Sequence, residues 1–251
     1  MYAPIIVLII YSFNESRSRA NWTGFTLKWY MELLKDQRII NALQTTISIA
    51  LFSSLIAIVL GTAAAMGINS MKAAAKKTLL TINNIPVVNP DIVMGVSLMI
   101  FYIVIFGIFS LELELGYFTL LLAHVSFVTP YIVLSVLPKL RQMDRNCYEA
   151  ALDLGATPIV GFIKVILPEI MPGIMTGALL AFTMSIDDFV VSFFTSGSGV
   201  ENLSMVIYSM TKRGINPKIN AISTFMLIFV MAMLYVVNLL DKRNKAKERL
   251  S

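Results

Sequence analysis

The chain has 251 residues, of which 57% are hydrophobic and only 14% are charged, and its net charge is +5. Soluble domains carry about 25% charged residues, so the composition indicates a membrane protein. The single Cys147 excludes a disulfide framework and a cysteine-based metal site. The single His124 lies in an apolar run, where a packed or hydrogen-bonded role is expected. No P-loop pattern is present, so we expect no ATP hydrolysis by that route in this chain. We also expect no metal and no cofactor, and the net charge of +5 does not indicate a nucleic-acid partner.

The first residues predict a short span followed by a polar segment. Residues 1–13 are apolar but fall short of the roughly 20 residues that a span needs, so we expect a first span truncated at its start. Residues 14–38 contain one short amphipathic helix, marked by Leu27, Tyr30, Met31 and Leu34. Thr26 is its expected cap. Trp22 and Trp29 favour the headgroup level of a membrane, and contact with a substrate or a binding protein is the alternative.

The next two spans differ in their continuity. Residues 39–68 contain span 2, which is followed by a basic loop with Lys72, Lys76 and Lys77. Residues 79–108 contain span 3, which two prolines interrupt within residues 83–91. Proline removes a helical donor and clashes with the preceding turn, and broken helices at membrane depth persist only where they are packed or line a cavity. We therefore expect a kink or an unwound turn in residues 83–91.

Three further spans complete an all-α, polytopic chain with six transmembrane helices. Span 4 covers about residues 117–137, and Pro138 is expected to open a cytoplasmic region. Span 5 covers about residues 172–195, and span 6 covers residues 221–240. The outer loop between them predicts a helix with Leu203, Val206, Ile207 and Met210 on one face and Gly214 as its stop.

A polar island between spans 4 and 5, residues 144–168, predicts two short helices joined by a tight turn. Asp144 can cap the first helix by accepting from its free N–H groups. Gly155 can end it, because glycine adopts the left-handed conformation without a Cβ penalty. Thr157 then offers a second cap, with Pro158 at the first helical position.

The island also carries a long spaced motif. It reads Glu149-Ala150-Ala151, three residues, Gly155, nine residues, and Val165-x-Leu167-Pro168. This pattern resembles the EAA motif of ABC importer permeases, with Val165 in place of isoleucine. The resemblance implies a type I (MetI-like) permease fold and a thin coupling helix that docks in a groove of a cytoplasmic ATPase subunit. An ordinary amphipathic loop hairpin is the alternative.

Further stretches resemble the PotC-type permease subunit of spermidine/putrescine importers. They are Tyr2-Ala3-Pro4-Ile5-Ile6, Ser12-Phe13-Asn14, Asn21-Trp22-x-Gly24-Phe25-Thr26-x-Lys28-Trp29-Tyr30, Pro90-Asp91-Ile92-Val93-Met94, Ser185-x-Asp187-Asp188-Phe189-Val190-Val191-Ser192 and Ile207-Tyr208-Ser209-Met210. The resemblance implies a polyamine permease in the bacterial inner membrane, with residues 1–251 as one transmembrane domain. It further implies two copies of an ATPase subunit, a second homologous permease subunit and a periplasmic or lipid-anchored binding protein. A permease for another solute, such as ferric ion, and a non-transporting membrane scaffold are the alternatives.

Three acids inside spans are the main candidates for a path taken by a cationic substrate. Asp91 lies beside the break in span 3, and Asp187 and Asp188 lie within span 5. Acids inside a membrane usually face a cavity or a partner. Trp29 and Tyr2 are weaker aromatic candidates near the outer mouth, through cation–π attraction. The alternative is that the acids bind backbone donors freed by helix breaks, or pair with a second permease subunit.

Overall fold

The computed structural model describes residues 3–16, 21–109, 114–212 and 217–248. Within these ranges the secondary structure is helical, apart from one isolated bridge between Asn14 and Phe25, which confirms the all-α prediction. The helices are α1 (Ala3–Ser12), α2 (Lys28–Leu33), α3 (Gln37–Ser70), α4 (Ala73–Val88), α5 (Asp91–Ile108), α6 (Tyr117–Gln142), α7 (Arg145–Asp153), α8 (Pro158–Gly161), a π-helical turn (Phe162–Ile166), α9 (Leu167–Asp187), α10 (Val190–Thr195), α11 (Leu203–Lys212) and α12 (Pro217–Glu248).

Six apolar helices follow the order of the six predicted spans. In the described ranges, four segments are long and apolar enough to cross a membrane: Gln37–Ser70, Asp91–Ile108, Tyr117–Gln142 and Pro158–Asp187. Two shorter apolar helices, Ala3–Ser12 and Pro217–Met233, stand at the two ends of the series. The first is 10 residues long, well below the length that a span requires.

The interruption of span 3 is present but narrower than the sequence predicts. Helix α4 continues through Pro86 and ends at Val88, and α5 begins at Asp91. Between them Asn89 and Pro90 are extended, with ψ angles of 142° and 140°. The proline that starts the new helix sets this break, because its missing N–H is not needed there.

Two helix boundaries differ from those that the sequence predicts. Pro138 lies inside α6, which continues to Gln142, because neighbouring groups in a packed bundle compensate for the donor that proline removes. Lys76 and Lys77 belong to α4 rather than to a loop. Three consecutive alanines at residues 73–75, the strongest helix formers, start that helix directly after Lys72.

The chain divides into two compact units, each with its own apolar core. The first unit comprises Met1–Thr46 and Val200–Ser251. Its core consists of Trp29, Leu33, Ile39, Ala42, Leu203, Val206, Ala221 and Ile222. Leu203 and Val206 lie on the predicted inward face of α11, which confirms the helix expected in the outer loop. Its expected stop, Gly214, lies outside the described residues.

The second unit, Ile47–Gly199, has a core in which α9 packs on α6 at glycine positions. A Cβ at Gly173 would lie 2.7 Å from the carbonyl oxygen of Ser135, and one at Gly177 would lie 3.1 Å from Cα of Ile132. Gly173 and Gly177 are four residues apart, the small-residue spacing that lets membrane helices approach backbone to backbone. These two spans therefore form one tightly joined pair.

Candidate functional site

The helix α7 of the polar island is capped at both ends as the sequence predicts. The Asp144 carboxylate accepts from the backbone N–H of Asn146 at 2.9 Å. At the other end Gly155 has φ +87°. The N–H of Gly155 donates to the Leu152 carbonyl at 2.9 Å, and the N–H of Ala156 donates to the Ala151 carbonyl at 3.1 Å. These two bonds form a Schellman motif, so the helix and its turn are ordered by local contacts.

The second arm of the island begins as predicted but does not end as predicted. The Thr157 hydroxyl accepts from the N–H of Val160 at 3.4 Å, and Pro158 occupies the first helical turn. The helix then continues for 30 residues, as Pro158–Asp187. The prediction of a separate second short helix is therefore wrong, and the helix that contains span 5 begins well before residue 172.

A π-helical turn explains how this helix passes Pro168. The five residues before Leu167 form the π turn, and the N–H of Leu167 bonds to the carbonyl of Phe162, five residues back. Pro168 has no N–H to donate. The wider turn immediately before it changes the hydrogen-bonding pattern, and the helix continues past the proline. The end of the motif, Leu167 and Pro168, consequently lies on the span and not in a loop.

Residues 144–168 form a hairpin whose outer surface carries large apolar side chains beside charged ones. Leu154 is 90% exposed and Ile159 is 71% exposed, and Ile163, Glu149 and Ala150 are exposed as well. The two arms of the hairpin meet on the other side, where a Cβ at Gly161 would lie 2.9 Å from the ring of Tyr148. A preformed surface with exposed large apolar side chains is typical of a protein-binding site.

A second polar region surrounds a break that sequence patterns do not predict. Helix α9 ends at Asp187, Asp188 is extended with ψ 127°, and α10 begins at Val190. Neither proline nor glycine occurs in residues 185–191. The Asp188 carboxylate accepts from the N–H of Val191 at 3.2 Å and from the N–H of Ser192 at 2.8 Å. Its side chain is 7% exposed, so Asp188 satisfies backbone donors that the break frees.

His124 on α6 lies against this break. It is 1% exposed, its Nδ1 lies 2.6 Å from Oγ of Ser185, and its Nε2 lies 3.0 Å from Oγ of Ser192. The prediction of a hydrogen-bonded histidine is confirmed. Its partners were missed, because they lie 61 and 68 positions away in the chain and no sequence pattern indicates the pairing.

Helix α5 packs closely on α10, just after the second break. A Cβ at Gly95 on α5 would lie 3.3 Å from the carbonyl oxygen of Val190 and from Cα of Val191 on α10. The second turn of α5 therefore packs on the first turn of α10. Asp91 begins α5 and Asp187 ends α9, and both are exposed in this chain. Asp188, in contrast, is turned into the protein.

Of the two aromatic candidates for the substrate path, the structure describes Trp29 but not Tyr2. Trp29 is 2% exposed in the core of the first unit, and its Nε1–H donates to the Asn14 carbonyl at 2.7 Å. Its ring is therefore a packing element, since the contacts around it leave no face open to a ligand or to lipid. Trp22 is half exposed and contacts Tyr11 edge to face. Tyr2 lies outside the described residues.

Comparison with known proteins decides the family. Residues 57–249 match the family described as binding-protein-dependent transport system inner membrane components. The chain belongs to this family. It is therefore a transport permease of the inner membrane and not an enzyme, and the family description names a binding protein as the general kind of partner. This excludes the alternative of a non-transporting scaffold.

Relatives of this permease cover nearly its whole length. It is 39% identical over 228 residues to the putrescine transport system permease protein PotI of Escherichia coli (strain K12), covering 90% of this chain and 81% of the relative. It is 37% identical over 247 residues to the spermidine/putrescine transport system permease protein PotC of the same organism, covering 98% and 91%. The PotC homolog of Mycoplasma pneumoniae (strain ATCC 29342 / M129 / Subtype 1) is 31% identical, covering 100% of this chain and 90% of the relative.

Solved structures confirm the fold of the permease. A bacterial ABC transporter involved in the import of the acidic polysaccharide alginate matches with a TM-score of 0.76 and 18% identity, covering 97% of this chain and 90% of that chain. The MetNI methionine ABC transporter matches with a TM-score of 0.64 and 21% identity, covering 85% and 95%. The predicted MetI-like fold is thereby confirmed.

Proposed function

We propose that this permease imports polyamines, with putrescine and spermidine as the substrates, and that residues 1–251 act as one transmembrane domain. The observation that carries the proposal is the identity of 37–39% over 90–98% of the chain to permeases named for these two solutes. Energy comes from a separate ATPase subunit, present in two copies. A second homologous permease subunit completes the pathway, and a periplasmic or lipid-anchored binding protein delivers the substrate.

The hairpin is the proposed ATPase-docking site. Glu149, Ala150 and Ala151 lie on the capped helix α7, and Gly155 forms its turn. Two exposed alkyl side chains beside the turn, Leu154 and Ile159, offer anchors for a groove in the partner. Leu167 and Pro168 lie where the hairpin becomes the span, so they connect the docked surface to the helix that crosses the membrane.

The proposed substrate path runs along the exposed acids at the two helix breaks. Each ammonium group of a polyamine loses water in a narrow passage, at a cost of several kcal/mol per ion unless an anionic group replaces that water. Asp91 and Asp187 are exposed and can face the partner permease. Asp188 supports the path from behind, because its oxygens already accept backbone N–H groups. Trp29 is left out of the path because its ring is buried, and Tyr2 remains a candidate at the outer mouth.

Uptake of radiolabelled putrescine tests the proposal. Cells that lack polyamine uptake would express this permease together with its partner subunits and binding protein. We expect uptake that depends on ATP and is competed by spermidine. Uptake of ferric ion with no competition by polyamines would contradict the proposed substrate and support the ferric-ion alternative.

Single charge-removing variants test the path. Asp91→Asn and Asp187→Asn keep the size of the side chain and remove its charge, and each should lower uptake about tenfold, the effect of losing roughly 1.4 kcal/mol of stabilisation. Asp188→Asn should instead lower the amount of assembled complex, since its carboxylate serves the fold. Normal uptake by both Asp91→Asn and Asp187→Asn, at normal assembly, would show that these acids do not guide the substrate.

A further inference from the structure

A chain of hydrogen bonds crosses the break between α9 and α10, and His124 on α6 is its central member. Ser185 lies on α9, before the break, and Ser192 lies on α10, after it. The two ring nitrogens of His124 reach the hydroxyls of both residues, at 2.6 Å and 3.0 Å. One imidazole on a neighbouring span therefore holds both sides of the break.

The network fixes the direction of each bond. Ser192 Oγ–H donates to the Asp188 carboxylate at 2.7 Å, so Ser192 Oγ accepts from His124 and the ring proton lies on Nε2. The Nδ1 atom of the neutral imidazole is then the acceptor for the Ser185 hydroxyl. The tautomer is thus assigned from its partners. His124 Nε2 is 3.6 Å from the Asp188 carboxylate, too far for a direct hydrogen bond, and Ser192 bridges the two groups.

The break contains no residue that is incompatible with a helix. Residues 185–191 contain no proline or glycine, so an uninterrupted α-helix would be available to this segment. Such a helix would satisfy the N–H groups of Val191 and Ser192 with carbonyls four residues back. In the observed structure they bond to Asp188 instead. The alternative partners offered by Asp188, and the imidazole that holds Ser192 in place, therefore maintain the break.

We propose that His124 is a positioning residue for substrate passage, which holds the break between α9 and α10 open and thereby sets the direction of Asp187. The residue itself is buried and does not touch the substrate. The proposal rests on the proposed function in taking Asp187 as a path residue. A buried polar ring has to keep its hydrogen bonds to avoid an unpaired group in an apolar interior, and here those bonds serve the geometry of the break.

The labelling rate of a cysteine at position 187 measures this geometry directly. The background is Cys147→Ser, because the native cysteine is exposed, and the reporter is Asp187→Cys in the assembled importer in membrane vesicles. The probe is a cationic, membrane-impermeant methanethiosulfonate, applied without substrate. His124→Leu removes both ring contacts, Ser192→Ala removes one hydroxyl and serves as the milder change, and His124→Gln keeps one donor and one acceptor.

We expect His124→Leu and Ser192→Ala to change the labelling rate at least about fivefold. The loss of one neutral hydrogen bond shifts the equilibrium between the broken and the continuous helix by about that factor. His124→Gln should retain most of the parental rate. Ser126→Ala is the matched control, because the Ser126 hydroxyl is exposed and bonds to its own helix at the Leu122 carbonyl. An unchanged rate in His124→Leu and Ser192→Ala, or an equal change in Ser126→Ala, would overturn the proposal.

A transport assay then tests whether the geometry of the break affects substrate passage. With Asp187 retained, His124→Leu and Ser192→Ala should raise the number of ATP molecules hydrolysed per solute transported, whereas simple loss of folded protein would lower both rates together. A parental ratio in both variants would overturn the role in passage. The labelling assay needs no substrate, so a wild-type importer that fails to carry polyamines would refute the proposed function and leave the test of His124 intact.

Discussion

Replacing Gly155 by valine tests whether the turn of the hairpin is needed for ATPase docking. Gly155 has φ +87°, and a Cβ built there would meet no atom within 4 Å. The cost therefore comes from the backbone alone, about 1–2 kcal/mol for a left-handed non-glycine residue, and β-branching makes that conformation worse. If the hairpin must regain this turn to dock, the association constant falls about 5- to 30-fold.

The assay is co-purification of the ATPase subunit with tagged permease from solubilised membranes, followed by uptake. Gly199→Val is a matched control, because Gly199 also has φ +87° and no atom within 4 Å of a built Cβ but lies outside the hairpin. Gly155→Asn should lose less than the valine variant, since asparagine tolerates the left-handed region. Parental recovery and transport in Gly155→Val, or equal losses in Gly155→Val and Gly199→Val, would refute the reasoning.

Two further substitutions test a helix cap and a close contact between two helices. Asp144→Ala removes the cap of α7 and should cost about 1 kcal/mol of helix stability, seen as roughly fivefold lower ATPase recovery, whereas Asp144→Ser should keep near-parental recovery. Gly95→Leu should lower the thermal stability of the detergent-solubilised permease, because its Cβ would lie 2.9 Å from the ring of Phe194 and overpacking costs about 1–3 kcal/mol. Gly107→Leu on the same helix has open space around it and is the control; equal melting temperatures for the two leucine variants would contradict the close packing of α5 on α10.

Local chemistry predicted the hairpin well. Capping by Asp144, the turn at Gly155 and the second cap at Thr157 each depend on backbone groups a few residues away. Such contacts can be inferred from sequence because the partner is always the adjacent turn. The sequence did not predict that α6 continues past Pro138, or that the second arm of the hairpin continues past Pro168 after a π turn.

Features that depend on distant parts of the chain could not be predicted. The break at Asp188 was not predicted: the Asp188 carboxylate bonds to backbone N–H groups of the next turn, and the contacts of His124 with Ser185 and Ser192 come from a distant helix. Trp29 is buried by residues as distant in the chain as Leu203 and Ile222, whereas the interfacial preference of tryptophan predicted a membrane surface. The exposure of Asp91 and Asp187 is likewise a result of packing, so the sequence could nominate all three acids but could not separate them by role.

The continuity of the helix Pro158–Asp187 has a mechanical consequence. Its 30 residues extend about 45 Å at 1.5 Å per residue, from the turn of the hairpin to the last residue before the break. If a helix of this length moves as one body, a small rotation at one end becomes a large displacement at the other: a tilt of about 10° about the hairpin moves the far end by roughly 8 Å over that length. If the proposed docking of an ATPase subunit on the hairpin moves this helix, the movement would be larger at Asp187 than at the hairpin. The close glycine contacts with α6 would move the neighbouring helix as well.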